Sequence, residues 1–405
     1  MYQYHTLNNG LRIVFRRNRS VVAHSAVYVN VGSRDEVGAE EGLAHFIEHA
    51  LFKGTSHRKS YHILNRIDGV GGELNAFTTK EETCVYASSL NRHLERCLEL
   101  FSDILFHSVF PEREIEREKD VVIEEINSYK DAPADLIYDE FEELLFGNHP
   151  LAHNILGTKK NVKRFSSEFI GNFMRRNYTP DKMVVSVVGD VDFDKLVRLC
   201  ERYFGSYPKG DAVAERLRPT GICPFNKTVN RHTHQIHALI GCLAPSSFEE
   251  NKVAFTLMNN ILGGPAMNSR LNVAVREKYG FCYTIESQYV PMSDTGLFYI
   301  YAGLDHDSQS KAVDLIMREL QQMAQCRLTD TRLRAAQRQM IGQMAISNDV
   351  TLNEMQSIGK ACMLFGRVDS LDEMNNDILS VSADDIQRLA AEYFKPDGFS
   401  MLFYK

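Results

Sequence analysis

A chain of 405 residues, 44% hydrophobic and 24% charged, is long enough for two or three domains, each with its own core. Its net charge of −7 speaks against nonspecific nucleic-acid binding, which needs a basic surface. No apolar run approaches the roughly 20 residues needed to cross a bilayer, so no membrane association is expected.

The first residues, MYQYHTLNNGLRIVFRR, alternate like a strand and carry no secretory pattern of basic segment, apolar stretch and small-residue cleavage site. The eight cysteines are scattered, with no Cys-x-x-Cys pair, which fits reduced thiols in a cytoplasm better than a disulfide frame. Leu11 to Arg16 and Val21 to Val31 read as two strands joined by a polar turn. Next comes GLAHFIEHALFKGT, a run of helix formers from Leu43 to Lys53 with a helix stop at Gly54. A helix from Ser60 to Ile67 follows, then the strand-like ELNAFTTKEETCVYASSL and a helix from His93 to His107. Pro111 opens a long helix and Pro133 another, ending at Phe146. A helix from Ser167 to Tyr178, the β run MVVSVVGD and a helix to Phe204 complete the first half.

A Pro/Gly/charge-rich break follows, with residues 211–221 as the expected linker between domains spanning 1–210 and 222–405. The second half repeats the plan: strand His234 to Ala244, helices Glu249 to Leu262 and Asn268 to Lys278, strands Phe281 to Val290 and Leu297 to Leu304. Helices then run between Gln309 and Phe394 before a closing strand, FSMLFY. Similar element order in two halves suggests an internal duplication, each half α+β with helices packed on a mostly antiparallel sheet. The cluster His232, His234 and His237 has no carboxylates beside it and reads as the entry to a strand.

Within GLAHFIEHALFKGT, three residues carry chemistry. At about 100° per residue, His49 lies about 40° from His45, and Glu48 about 60° the other way, so all three share a helix face. Two imidazoles one turn apart can grip one metal ion, and a carboxylate beside them can take a proton from water. A hydrolytic zinc site also needs a third protein ligand. The helix after Pro111 offers Glu118 and Glu125, seven apart on one stripe with Val121 and Val122, whereas Glu124 shares its side with Arg117, Asp120 and Ser128. Periodicity prefers Glu125 as the inward ligand, with Glu118 two turns away in the same groove.

HFIEH followed by EKDVVIEE resembles the M16 family of zinc metallopeptidases, which includes pitrilysin, insulin-degrading enzyme and the mitochondrial processing peptidase. The resemblance covers essentially the whole chain, in the shorter branch of about 400 residues. It implies two homologous halves of the LuxS/MPP-like metallohydrolase fold. It further implies one zinc ion per chain on His45, His49 and Glu125, with Glu48 as general base and Glu118 as supporting carboxylate. GELNAFT resembles the family's edge strand, in which Asn75, Ala76, Phe77 and Thr78 would pair with an extended peptide substrate. REKYGFCY places Arg276 and Tyr283 as the family's substrate-holding pair, and LGGPAMNSR resembles its Gly-rich segment. The second half lacks His-x-x-Glu-His. The resemblance therefore implies a dimer, either a homodimer or a heterodimer with a non-catalytic chain of the same family.

The expected function is a zinc-dependent endopeptidase. The alternative is a catalytically idle subunit that binds peptides or partners, and the intact motif favours the enzyme. A third comparison, the S-ribosylhomocysteine lyase, has a similar metal helix but is far shorter and uses a cysteine ligand, which does not accompany Glu125 here.

Overall fold

The computed structural model of the protein describes residues 1–210 and 216–405, so part of the expected linker, 211–215, lies outside the described residues. The chain forms two compact units. The first comprises Met1–Ser128, the described part of His153–Glu215, and Ile346–Asp369; the second comprises Tyr129–Ala152, Arg216–Ala345 and Ser370–Lys405.

Six strands build the sheet of the first unit: β1 (Tyr2–Thr6), β2 (Arg12–Arg17), β3 (Val22–Val29), β4 (Glu73–Thr78), β5 (Thr83–Leu90) and β6 (Met183–Gly189). Their order is β1-β2-β6-β3-β5-β4, antiparallel throughout except for the parallel pair β2 and β6. The apolar run of β6 is buried along its whole length, as expected of an interior strand covered on both faces. One face carries α1 (Leu43–Ala50), α2 (Ser60–Asp68), α3 (Leu94–Phe106) and α4 (Glu112–Lys130), whose inward residues Phe46, Ile63, Phe101 and Val122 join Phe15, Val27 and Val85 in one core. The other face is covered by the helix Thr351–Phe365, which sets Met355, Ile358 and Cys362 against Val14, Tyr28 and Val188. Contact there is close. A Cβ added at Gly359 would stand 2.5 Å from the Tyr28 ring, and Ser186 Oγ donates to the Met355 carbonyl at 2.7 Å.

The second unit has β7 (Asn226–Val229), β8 (Ile236–Ala244), β9 (Cys282–Pro291), β10 (Gly296–Leu304) and β11 (Ser400–Tyr404), ordered β7-β11-β8-β10-β9. Without β1, the first sheet reads β2-β6-β3-β5-β4, the same path strand for strand, and β7 with β11 is again the parallel pair. The duplication is thus written in topology. Here the helix α5 (Pro133–Phe146) covers one face, packing Ile137 and Phe141 on Leu239, Tyr299 and Leu402. The helices Lys252–Gly263, Gln309–Gln325 and Ala383–Tyr393 cover the other.

Four sequence expectations need correction. A single cut at 211–221 does not separate the units, because each sheet takes one covering helix from the far half of the chain. Both helices are amphipathic and locally unremarkable, so nothing in their sequence says which sheet they serve. The motif helix ends at Ala50, short of Gly54. Asn268 to Lys278 is helical only over residues 270–277, in π form across Asn272–Glu277. Finally, β7 was not anticipated: four mostly exposed residues, NKTV, give too short a pattern to read. The cysteines are all free, six of them buried. Among the described residues no helix is long and apolar enough to cross a membrane. His237 lies within β8 and pairs with Tyr301 Oη at 2.8 Å, while His232 and His234 precede the strand.

Candidate metal centre

The helix α1 begins at Gly42, whose φ of +90° suits glycine, and a Cβ there would meet the Cα of Gly157 at 2.7 Å. Its first amides are not capped by a neighbouring Ser or Asp. Instead the buried Glu36 carboxylate accepts from Gly42 N at 2.8 Å and Ala44 N at 2.7 Å. Burial pushes the Glu36 pKa well above the usual range, against the pull of those two amides.

From this helix His45 and His49 project with ring centroids 4.7 Å apart. The Glu125 carboxylate on α4 lies 3.7 Å from His45 Nε2 and 3.5 Å from His49 Nε2. Donor atoms of the three side chains all fall within 4.8 Å of one another, and no other group of three such residues does so among the described residues. Ligands at 2.0–2.2 Å from a tetrahedral ion stand roughly 3.3–3.6 Å apart, so the two distances from Glu125 to the histidines suit zinc, as does the donor set of two nitrogens and one oxygen. Burial, reinforced by His49, pushes the His45 pKa down to about 4, which keeps its ring neutral and its lone pair available.

His49 is anchored from behind. Its Nδ1 pairs with Glu118 Oε1 at 2.8 Å, while Lys53 Nζ holds Glu118 Oε2 at 2.6 Å. Burial alone would raise the Glu118 pKa, but the hydrogen bonds from His49 and Lys53 outweigh it and hold the carboxyl below its usual value. An ionised Glu118 fixes the His49 tautomer with its proton on Nδ1, leaving Nε2 to a metal. His45 has no such support: its Nδ1 is buried without a partner. Glu48 is half-buried on the same helix face, and burial raises its pKa, opposed by the Thr78 hydroxyl of β4 and by His49. Glu48, Glu118 and Glu125 thus gather around the two histidines, and only Glu118 among them is paired with a lysine among the described residues.

The chain leaving α1 is pinned by Asp103 of α3. Its carboxylate, almost fully buried, accepts from Thr55 Oγ1 at 2.9 Å and Arg58 Nη1 at 2.7 Å and pairs with His57 Nδ1 at 2.6 Å. Arg58 also reaches Glu99 at 2.6 Å, which in turn holds Arg66.

The periodicity of α4 explains which glutamate arrives. With Glu118 at 0°, buried Val122, Ile115 and Ile126 fall at about 40°, 60° and 80°, Glu125 at about −20° and Val121 at about −60°. Glu125 thus sits on the rim of the buried arc. Val121, expected inward, lies outside it and is half exposed. Glu124 faces solvent as its neighbours indicated.

The segment with Asn75, Ala76 and Phe77 forms β4, the last strand of its sheet, hydrogen-bonded only to β5. Leu74 and Ala76 pack toward the face that carries α1, and Phe77 turns to the opposite face near Tyr28 and Tyr86. In the second unit, the Arg276 guanidinium lies 5.8 Å from the Tyr283 ring centroid, and Tyr283, on the end strand β9, is 82% exposed. The structure therefore groups His45, Glu48, His49, Glu118 and Glu125 together, and Arg276 with Tyr283. Lys53 and Glu36 were missed, and Thr78 was expected only as part of the substrate strand, not beside Glu48. Only Lys53 left a trace in the sequence, one turn beyond His49 on the same face.

Residues 12–159 match the family model described as insulinase (peptidase family M16), and residues 164–340 match the peptidase M16 inactive domain. The uncharacterized zinc protease YmxG of Bacillus subtilis is 35% identical over 98% of this chain and 97% of its own length. A similarly named protein of Streptomyces coelicolor is 35% identical over 96% of this chain and 86% of its own. Among solved structures, a protease from Helicobacter pylori superposes with a TM-score of 0.90 at 23% identity, covering 100% of this chain and 99% of that one. An M16 inactive-domain protein from Pseudomonas fluorescens gives 0.92 at 20% identity, covering 100% and 97%. The two superpositions establish the shared α+β fold, and from the family models together with the near full-length relatives, the chain belongs to peptidase family M16.

Proposed function

We propose that this chain is a zinc-dependent endopeptidase, with one ion held by His45, His49 and Glu125. The observation that carries this reading is the convergence of those three side chains next to Glu48 and the unpaired side of β4. Bound there, zinc would polarise a peptide carbonyl and acidify water. An extended peptide adds to β4 through main-chain hydrogen bonds at Asn75 to Phe77, which fixes its scissile bond and leaves side-chain choice loose. Glu48 takes the proton of the attacking water and passes it to the leaving amine; a carboxyl pKa raised by burial suits both transfers. Glu118, ionised and held by Lys53, keeps His49 oriented throughout.

The test is direct. Purified protein should carry one zinc per chain by elemental analysis and cleave an unstructured peptide. It should lose that activity on dialysis against a chelator and regain it with stoichiometric zinc. Full zinc loading without cleavage of any member of a diverse peptide library would favour the second reading, an idle peptide-binding subunit.

The exposed Tyr283 beside Arg276 supports a role in holding substrate carbonyls. We further infer a two-fold homodimer in which each copy presents this pair to its partner's substrate. Sedimentation should give about twice the 46.2 kDa chain mass. A monomer that cleaves at full rate rejects the dimer.

A further inference from the structure

A groove of ≈ 470 Å³ opens in the second unit, walled by residues 268–274 and by the helices Gln309–Gln325 and Asp330–Asp349. That volume lies in the range of small-molecule sites. Its walls divide by chemistry. Ile261, Leu328 and Ala336 supply apolar surface, whereas Glu319, Arg270 and Arg332 supply charge.

The two arginines are not equivalent. Arg270 is committed: its Nε donates to Glu319 Oε2 at 2.8 Å and its Nη2 to Gln322 Oε1 at 3.1 Å. This leaves Glu319 Oε1 without a partner among the described residues, on a side chain only 17% exposed. Arg332 has a guanidinium with no partner among the described residues. It stands in the first turn of a twenty-residue helix, where the backbone adds partial positive charge. The groove thus offers an uncommitted fork for a carboxylate, a half-satisfied carboxylate for an ammonium, and apolar wall for what connects them.

A dianion such as phosphate fits poorly, because Glu319 would repel it and a single free guanidinium would have to neutralise it. A purely apolar ligand would leave the Arg332 guanidinium and Glu319 Oε1 unpaired. We propose that this groove binds a short apolar peptide as its zwitterion, the carboxylate on Arg332 and the amine on Glu319. The binding stands apart from the peptidase reading. That reading bears only on the source of the ligand, since peptide hydrolysis yields products of this class.

The experiment uses the full-length Glu48→Gln protein, so that any peptidase activity is removed, and isothermal titration with leucyl-leucine. Saturable binding is expected, weakened at least tenfold by adding Arg332→Gln and partly recovered with Arg332→Lys. N-acetyl-leucyl-leucine amide, which lacks both terminal charges, should bind at least tenfold more weakly than leucyl-leucine. Equal affinity for the capped peptide, binding unchanged by Arg332→Gln, tighter binding of inorganic phosphate, or no binding at all would each overturn the proposal. Binding that survives Arg332→Gln but disappears with His45→Ala would place the peptide at the metal centre instead. Arg332→Gln in the otherwise native chain should leave zinc content and cleavage unchanged, which separates failure here from failure of the peptidase reading.

Discussion

Glu48→Gln is expected to keep one zinc per chain and to lose peptide hydrolysis by about 10²–10⁴-fold, the range for removing a positioned proton carrier. Glutamine fills the same space on α1, so helix and β4 should be undisturbed. His45, His49 and Glu125 are untouched, and the 3.5–3.7 Å distances from Glu125 to the two rings do not involve residue 48. What disappears is the ability to accept a proton. The check is kcat on an unstructured peptide alongside elemental zinc analysis: loss of turnover with full zinc isolates the proton transfer. Turnover within tenfold of the native protein would remove Glu48 from the reaction.

The largest expected effect on stability comes from Asp103→Asn. This carboxylate is 3% exposed and joins Thr55, His57 and Arg58, the residues through which the chain leaves the motif helix. Breaking a buried charge pair by removing one partner costs roughly 3–5 kcal/mol. Arg58 keeps Glu99 and is itself 21% exposed, so about 2–4 kcal/mol is the better expectation here.

The same residue predicts a pH dependence. Burial raises the Asp103 pKa, but the hydrogen bonds from His57, Arg58 and Thr55 together overcome it and depress the folded-state value below 3.8. A depressed carboxyl pKa means stabilisation present above the unfolded-state value and lost as pH falls through the folded one. Calorimetry should therefore find Asp103→Asn melting several degrees below the native protein at pH 7, with the gap closing below about pH 4. Equal melting temperatures at pH 7 would show that the network contributes nothing net.

Much of the candidate metal centre was legible because it is local. His45, Glu48 and His49 lie within five positions of one helix, and helical geometry alone puts them on one face. Glu125 needed a second helix, yet its place beside the buried stripe of α4 marked it against Glu124. Val121 was misjudged because a stripe drawn through Glu118 and Glu125 is centred about 50° from the arc that actually meets the core. Glu36, and the place of Thr78 beside Glu48, could not be read from the sequence. Each acts on α1 from a loop or strand whose approach depends on how the sheet is assembled.

The fold divides the same way. Strand alternation, helix periodicity and the Gly and Pro stops established two α+β halves and nearly every element, because these patterns depend on neighbours within a few residues. Strand order, the parallel pairs β2–β6 and β7–β11, and the exposed side of β4 belong to pairings between distant segments. So does the exchange in which Pro133–Phe146 covers the second sheet and Thr351–Phe365 the first. An amphipathic helix records only that it has an apolar face. Which sheet buries that face is decided by packing and chain connection, and so by the tertiary structure alone.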